Sequence, residues 1–141
     1  MGALISRKSG PEKRRMMVAM EQPLEQLERE AGVGIGSEVT DAIARWAATN
    51  PYIRRVWVYG SRAKGTHRPD SDIDIAVELE PVADSEEALT VWMAHAGAWR
   101  WQLQSGISPK VDLEWFDPDG TTRVVEAGLD EAKVLIYERA A

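Results

Sequence analysis

Cysteine is missing from all 141 residues of this chain, which removes disulfide frameworks, thiolate zinc sites and thiol nucleophiles and fits a reducing cytoplasm. Histidine is nearly missing. His67 and His95 alone cannot build a His-rich transition-metal site, and no spacing supports a Ser-His-Asp arrangement. No apolar run reaches the ~18 residues that a membrane-spanning helix needs, so none is expected. Positive charge is in short supply: 17 Lys and Arg face 23 Asp and Glu, for a net charge of -6. Generic binding to a phosphate backbone is therefore not expected, because it needs clustered cations to displace counterions. Phenylalanine occurs once, at Phe116, against six tryptophans.

What remains is an ordinary globular composition, 44% hydrophobic and 28% charged, at a length that suits one domain. No repeat and no low-complexity segment occurs. The basic residues that exist are concentrated at the start, where Arg7, Lys8, Lys13, Arg14 and Arg15 stand against Glu12 alone. Residues 16–20 are too short an apolar stretch for a secretory signal. The head reads either as an arm that contacts RNA or an acidic partner, or as a solvated leader ahead of a start at Met16, Met17 or Met20; basic tails are usually solvated, which favours the second. Leu24 and Leu27 suggest a short helix stopped by Gly32, Gly34 and Gly36. The expected organisation is an N-terminal extension over 1–36 and one domain over 37–141.

Within that domain, Ser37 reads as the N-cap of a helix carrying Val39, Ile43 and Trp46 or Ala47 on one face, ended by Asn50-Pro51. Residues 55–59 read as a strand. Residues 73–79 alternate apolar and polar, the pattern of a strand with one apolar face. Helical spacing returns over 85–104, with Leu89, Trp92, Met93, Ala96, Trp99 or Arg100, and Leu103 on a stripe, in a helix that Gly97 weakens. Residues 110–116 suggest another strand, 121–127 a short helix closed by Gly128 at its C′ position, and 133–137 a last strand. Strands separated by helices predict an α/β or α+β domain with its sheet covered mostly on one face.

Chemistry concentrates in residues 58–75, VYGSRAKGTHRPDSDIDI. Gly60-Ser61 follows a strand directly, and Asp72-Ile73-Asp74 opens the next one. Carboxylates at i and i+2 on a strand face the same way with Cα atoms roughly 6–7 Å apart, which suits oxygen ligands for hard cations. Asp112, in KVDLEW, is the candidate for a third carboxylate if its strand lies beside 73–79. Gly60 lets the backbone approach a phosphate, and Ser61 sits at a turn into a helix, where N–H groups attract anions. Arg62, Lys64 and Arg68 lie in the following loop, where a cation can balance a triphosphate. The Gly, Ser and Asp frequencies make G-S-x10-D-x-D an accident roughly two times in a thousand. Two rivals fail. Thr66 stands where a Walker A loop needs Lys, and Ile75 and Pro81 replace the Gly and final Glu of a calcium loop.

With that segment followed by the aspartate of VDLEW, the chain resembles the minimal nucleotidyltransferases of the DNA polymerase β superfamily, over about residues 37–137. The resemblance implies a nucleotidyltransferase fold with a small mixed β-sheet and flanking helices. It further implies two magnesium ions held by Asp72, Asp74 and Asp112, and a nucleotide-binding turn at Gly60 and Ser61. The activity implied is transfer of AMP from ATP to a hydroxyl with release of pyrophosphate. Small stand-alone members of this family are commonly antitoxins that adenylylate a tyrosine of a HEPN-domain ribonuclease toxin. The alternatives are an antitoxin acting by binding alone, with exposed tryptophan at the interface, and an aminoglycoside nucleotidyltransferase whose acceptor pocket is lined by Glu78, Glu80, Glu86 and Glu87. The 36-residue head is not needed by the family pattern.

Overall fold

A computed structural model of the chain describes residues 35–81 and 84–140; the basic head and the expected helix near Leu24 lie outside the described residues. The elements run α1 (Ser37–Ala48), β1 (Ile53–Tyr59), α2 (Ser61–Lys64), β2 (Ile73–Leu79), α3 (Ser85–Gly106), β3 (Val111–Trp115), α4 (Arg123–Glu131) and β4 (Lys133–Glu138). The strands form a mixed four-stranded sheet in the order β3-β2-β1-β4. β1 pairs antiparallel with both β2 and β4, and β2 pairs parallel with β3. The crossover between the parallel strands is α3, as a parallel pair requires.

Period-two alternation sends Val56 and Val58 of β1, Ile73, Ile75 and Val77 of β2, and Val111, Leu113 and Trp115 of β3 into one core. Ile43 and Ala47 of α1 and Trp99 and Leu103 of α3 cover it. The tryptophan surplus is absorbed largely there: Trp99 packs at 6.0 Å from Trp46, at 6.1 Å from Trp92, and stacks on His95 at 5.2 Å. Aromatic rings supply large apolar area with oriented edges, so few other large side chains are needed.

The opposite face of the sheet is less bare than alternation predicts. Ala76 is fully buried in a second cluster with Trp57 and with Val125 and Leu129 of α4. Glu78 is buried too, held by a 2.8 Å ion pair from Arg55, which also contacts Glu138 at 3.0 Å. Two helix ends also depart from expectation. Gly36, at φ +86°, caps α1 without a side-chain bond, so Ser37 is the first helical residue. Gly128 lies inside α4, which runs on to Glu131; a Cβ there would press on the Tyr59 ring at 3.0 Å, so its role is packing against β1.

Candidate functional site

The site forms where the ends of three strands meet the face that carries α4. β1 ends at Tyr59, and Gly60 turns the chain at φ +76°, a conformation that only glycine adopts without strain. A Cβ at Gly60 would overlap the carboxylate of Asp74, so the missing side chain is what lets that carboxylate lie over the turn. Ser61 opens α2, a single turn closed by Gly65 in the left-handed region. The first N–H groups of such a turn have no preceding helical carbonyl to bond.

Arg62 is 7% exposed and builds the loop from inside. Its Nη2 donates to the carbonyl of Ser71 at 2.7 Å and its Nε to that of Asp72 at 3.3 Å. Lys64 is exposed and pairs with Glu131 of α4 at 3.0 Å. Arg68 is exposed, and its backbone N–H donates to Ser71 Oγ at 2.8 Å. Of the three loop cations in the sequence reading, one is thus buried in the loop, one pairs with α4 and one faces solvent.

Parallel pairing of β2 with β3 puts Asp74 beside Asp112 as Cα partners, and the two carboxyls share a hydrogen bond. Burial, then the charges of Asp112 and Asp72, lift the pKa of Asp74 to about 6. Asp72 is exposed, one residue ahead of β2, and acts on Asp74 by charge. Two further groups belong to the cluster although no motif signalled them. Glu114 hydrogen-bonds Asp112 and is pushed above the usual carboxylate range by burial, by that bond and by the charge of Asp112, with Arg100 opposing. Tyr59 is driven well above the usual phenol value by burial, then by Asp74, Glu114 and Asp112. Glu114 was findable from its i+2 spacing to Asp112, and Tyr59 from its position before Gly60; both needed the register.

Among the described residues no group of three or more carboxylates, imidazoles or thiols is arranged to hold a metal ion. The donor chemistry nevertheless fits a hard cation. The contributing side chains are all oxygen donors, crowded closely enough that Asp74 and Glu114 are raised above the usual carboxylate range, a repulsion that a hard cation would relieve.

Glu78 and Glu80 line a cleft of about 190 Å³ with Asp84, Asp117 and Asp119, but Glu86 and Glu87 are not part of it. The charges of Glu78 and Glu80 are met by Arg55 and Arg54. That cleft lies at the other end of β2, roughly 17 Å along the strand from Asp74.

A family model for the polymerase beta nucleotidyltransferase domain matches residues 41–139. No curated protein sequence matches the chain. Among solved structures, a toxin–antitoxin complex crystallised with AMP-PNP is similar at 22% identity and a TM-score of 0.52, covering 71% of this chain and 73% of that one. A nucleotidyltransferase from Sulfolobus solfataricus is similar at 21% identity and a TM-score of 0.47, covering 78% and 86%. The MNT antitoxin complex with the tri-AMPylated HEPN toxin of Shewanella oneidensis is similar at 20% identity and a TM-score of 0.47, covering 72% and 71%. Among the described residues no helix is long and apolar enough to cross a membrane.

Proposed function

Since the chain belongs to the polymerase β nucleotidyltransferase family, we propose that it is an antitoxin that transfers AMP from ATP to a hydroxyl, a tyrosine in our reading, of a HEPN-domain ribonuclease toxin. The observation that carries this reading is the placing of Asp74 and Asp112 side by side on adjacent parallel strands, next to the Gly60 turn. A fold shared with a toxin–antitoxin complex that holds AMP-PNP supports the choice of nucleotide and partner class.

Asp72, Asp74 and Asp112 would hold two magnesium ions, which when bound neutralise triphosphate charge and stabilise attacking and leaving oxygens. The turn at Gly60 and Ser61 receives phosphate oxygens, and Lys64, on the same helical turn, swings from Glu131 to the triphosphate. Arg62 serves by fixing the loop that carries Asp72. The acceptor oxygen attacks the α-phosphorus in line, the bond to the bridging oxygen breaks, and pyrophosphate departs. The hydroxyl proton passes to the carboxylates of the Asp74 and Asp112 pair. Positioning and charge complementarity supply most of the rate. The aminoglycoside reading is weaker, because Glu78 and Glu80 are already paired with arginines.

The test is Asp72→Asn combined with Asp74→Asn, assayed with α-labelled ATP, magnesium and a HEPN-domain protein of the same genome. The variant should keep its circular dichroism spectrum and lose labelling by about a thousandfold or more. Labelled AMP still appearing on the partner would falsify the catalytic reading. Full neutralisation of the toxin without labelling would make binding alone the better account.

A further inference from the structure

Helix α3 carries no charged residue between Glu87 and Arg100. A helix that is apolar nearly all round is normally buried. α3 buries only Ala96, Trp99 and Leu103, and its i, i+4 row of Leu89, Met93, Gly97 and Trp101 faces solvent. Met93 and Trp101 are 72% and 73% exposed, and a Cβ added at Gly97 would meet nothing within 4 Å. The row therefore presents two apolar knobs flanking an open notch. Rows at i±4 are the ridges through which helices interdigitate, and a residue without a side chain lets a second backbone approach.

The helix that carries this row is tied to the edge strand β3, whose opposite face bears Asp112 and Glu114. Arg100, one residue before Trp101, lies over the Trp92 ring at 5.3 Å and donates to the Leu113 carbonyl of β3 at 3.2 Å. Leu113 stands between Asp112 and Glu114.

We propose that the row Leu89, Met93, Gly97 and Trp101 is the docking surface for an α-helix of the acceptor protein, whose remaining surface passes around the β3 edge to bring its hydroxyl to Asp74 and Asp112 on the opposite face of the sheet. The inference rests on the adenylyltransferase reading above. A second copy of the chain is a poorer occupant on two grounds. Two copies crossing at Gly97 would each bring a net charge of -6. The outer strip of a 22-residue helix, ~33 Å long and ~10 Å wide, also offers only ~330 Å² against the ~800 Å² per partner of a stable interface. An acceptor that also enters the carboxylate site contributes the missing area. Glu86 is exposed at the start of the row, so the partner helix carries Lys or Arg at that end.

The test uses the full chain with Met93→Glu, Trp101→Glu and both together, and the HEPN-domain protein as probe. The double variant should bind the probe at least about thirtyfold more weakly and raise the acceptor KM in proportion. Its kcat at saturating acceptor should stay within about threefold, and its affinity for ATP with magnesium should not change. Unaltered acceptor affinity with AMP transfer intact overturns the docking surface and leaves the activity standing. Wild type that binds the probe without labelling it, with binding lost in the variants, upholds the surface and removes the activity. A wild-type dimer in light scattering that the variants convert to monomer assigns the row to a second copy and overturns the proposal.

Discussion

Asp74 and Gly60 depend on each other at the scale of single atoms. The carboxylate of Asp74 occupies the volume that any side chain at residue 60 would fill. Gly60→Ala therefore meets two penalties, left-handed backbone strain and a displaced carboxylate, and should cost about 1–3 kcal/mol in stability and at least about a hundredfold in AMP transfer. Thermal melts and a labelling assay measure both, and an active, stable alanine variant would remove the steric argument. Asp74 also works against the fold. Its pKa is raised to about 6, so the folded protein holds the proton more tightly than the unfolded chain does. Stability contributed by the protonated form is present below about pH 4 and is lost as pH rises through about 6. Asp74→Asn should consequently stabilise the metal-free protein at pH 7, by on the order of 1 kcal/mol once solvent screening of this half-exposed group is allowed for. The gain should vanish near pH 3.5, where both forms are neutral; a gain independent of pH would point to packing instead.

Among the elements, the strand, turn and strand from β1 to β2 were the most legible in sequence, because the β-branched run around Val56 and the alternation after Asp72 are local signals. Helix ends were less so. Ser37 has the side chain of an N-cap, but Gly36 already supplies the turn, and Gly128 resembles a terminator until the Tyr59 ring is seen against it. The roles of Glu114 and Tyr59 were only half legible for a different reason: their spacing to Asp112 and Gly60 is local, but which strands are neighbours is not written in any short window. Arg62 marks the limit in the loop. Its position suggests a phosphate ligand, yet the structure buries the guanidinium against the carbonyls of Ser71 and Asp72. Arg62→Ala should leave those carbonyls unsatisfied, cost about 2 kcal/mol, and speed amide hydrogen exchange across residues 65–72. Arg62→Lys should not restore protection, because one ammonium cannot span several carbonyls as a planar fork does. Unchanged exchange in Arg62→Ala would mean that the loop is held by something else.

For the whole molecule, the acidic balance divides into charges that are neutralised and charges that are crowded. Arg55 holds Glu78 and Glu138, Arg54 holds Glu80, and Lys64 holds Glu131. Asp117 is buried, which by itself would raise its pKa, but hydrogen bonds from Thr121, the Asp119 backbone and Ser85 outweigh burial and lower it. Its contribution is present above pH 4 and is lost as pH falls through its lowered value. Asp74 and Glu114 pull the other way, since both are raised and their contribution falls as pH increases. In EDTA the melting temperature should thus peak near pH 4–5 and decline toward pH 7. Magnesium with ATP opposes the decline at its source, the repulsion among carboxylates. At a hundredfold excess over the dissociation constant it adds about 2.7 kcal/mol, a rise on the order of 10 °C for a domain of this size. The combined Asp72→Asn and Asp74→Asn variant should show neither the decline due to Asp74 nor the rise with ligand. Sodium chloride at matched ionic strength separates binding from screening. If it produced the same rise as magnesium with ATP, the carboxylate cluster would be merely a charged surface and the metal reading would fail.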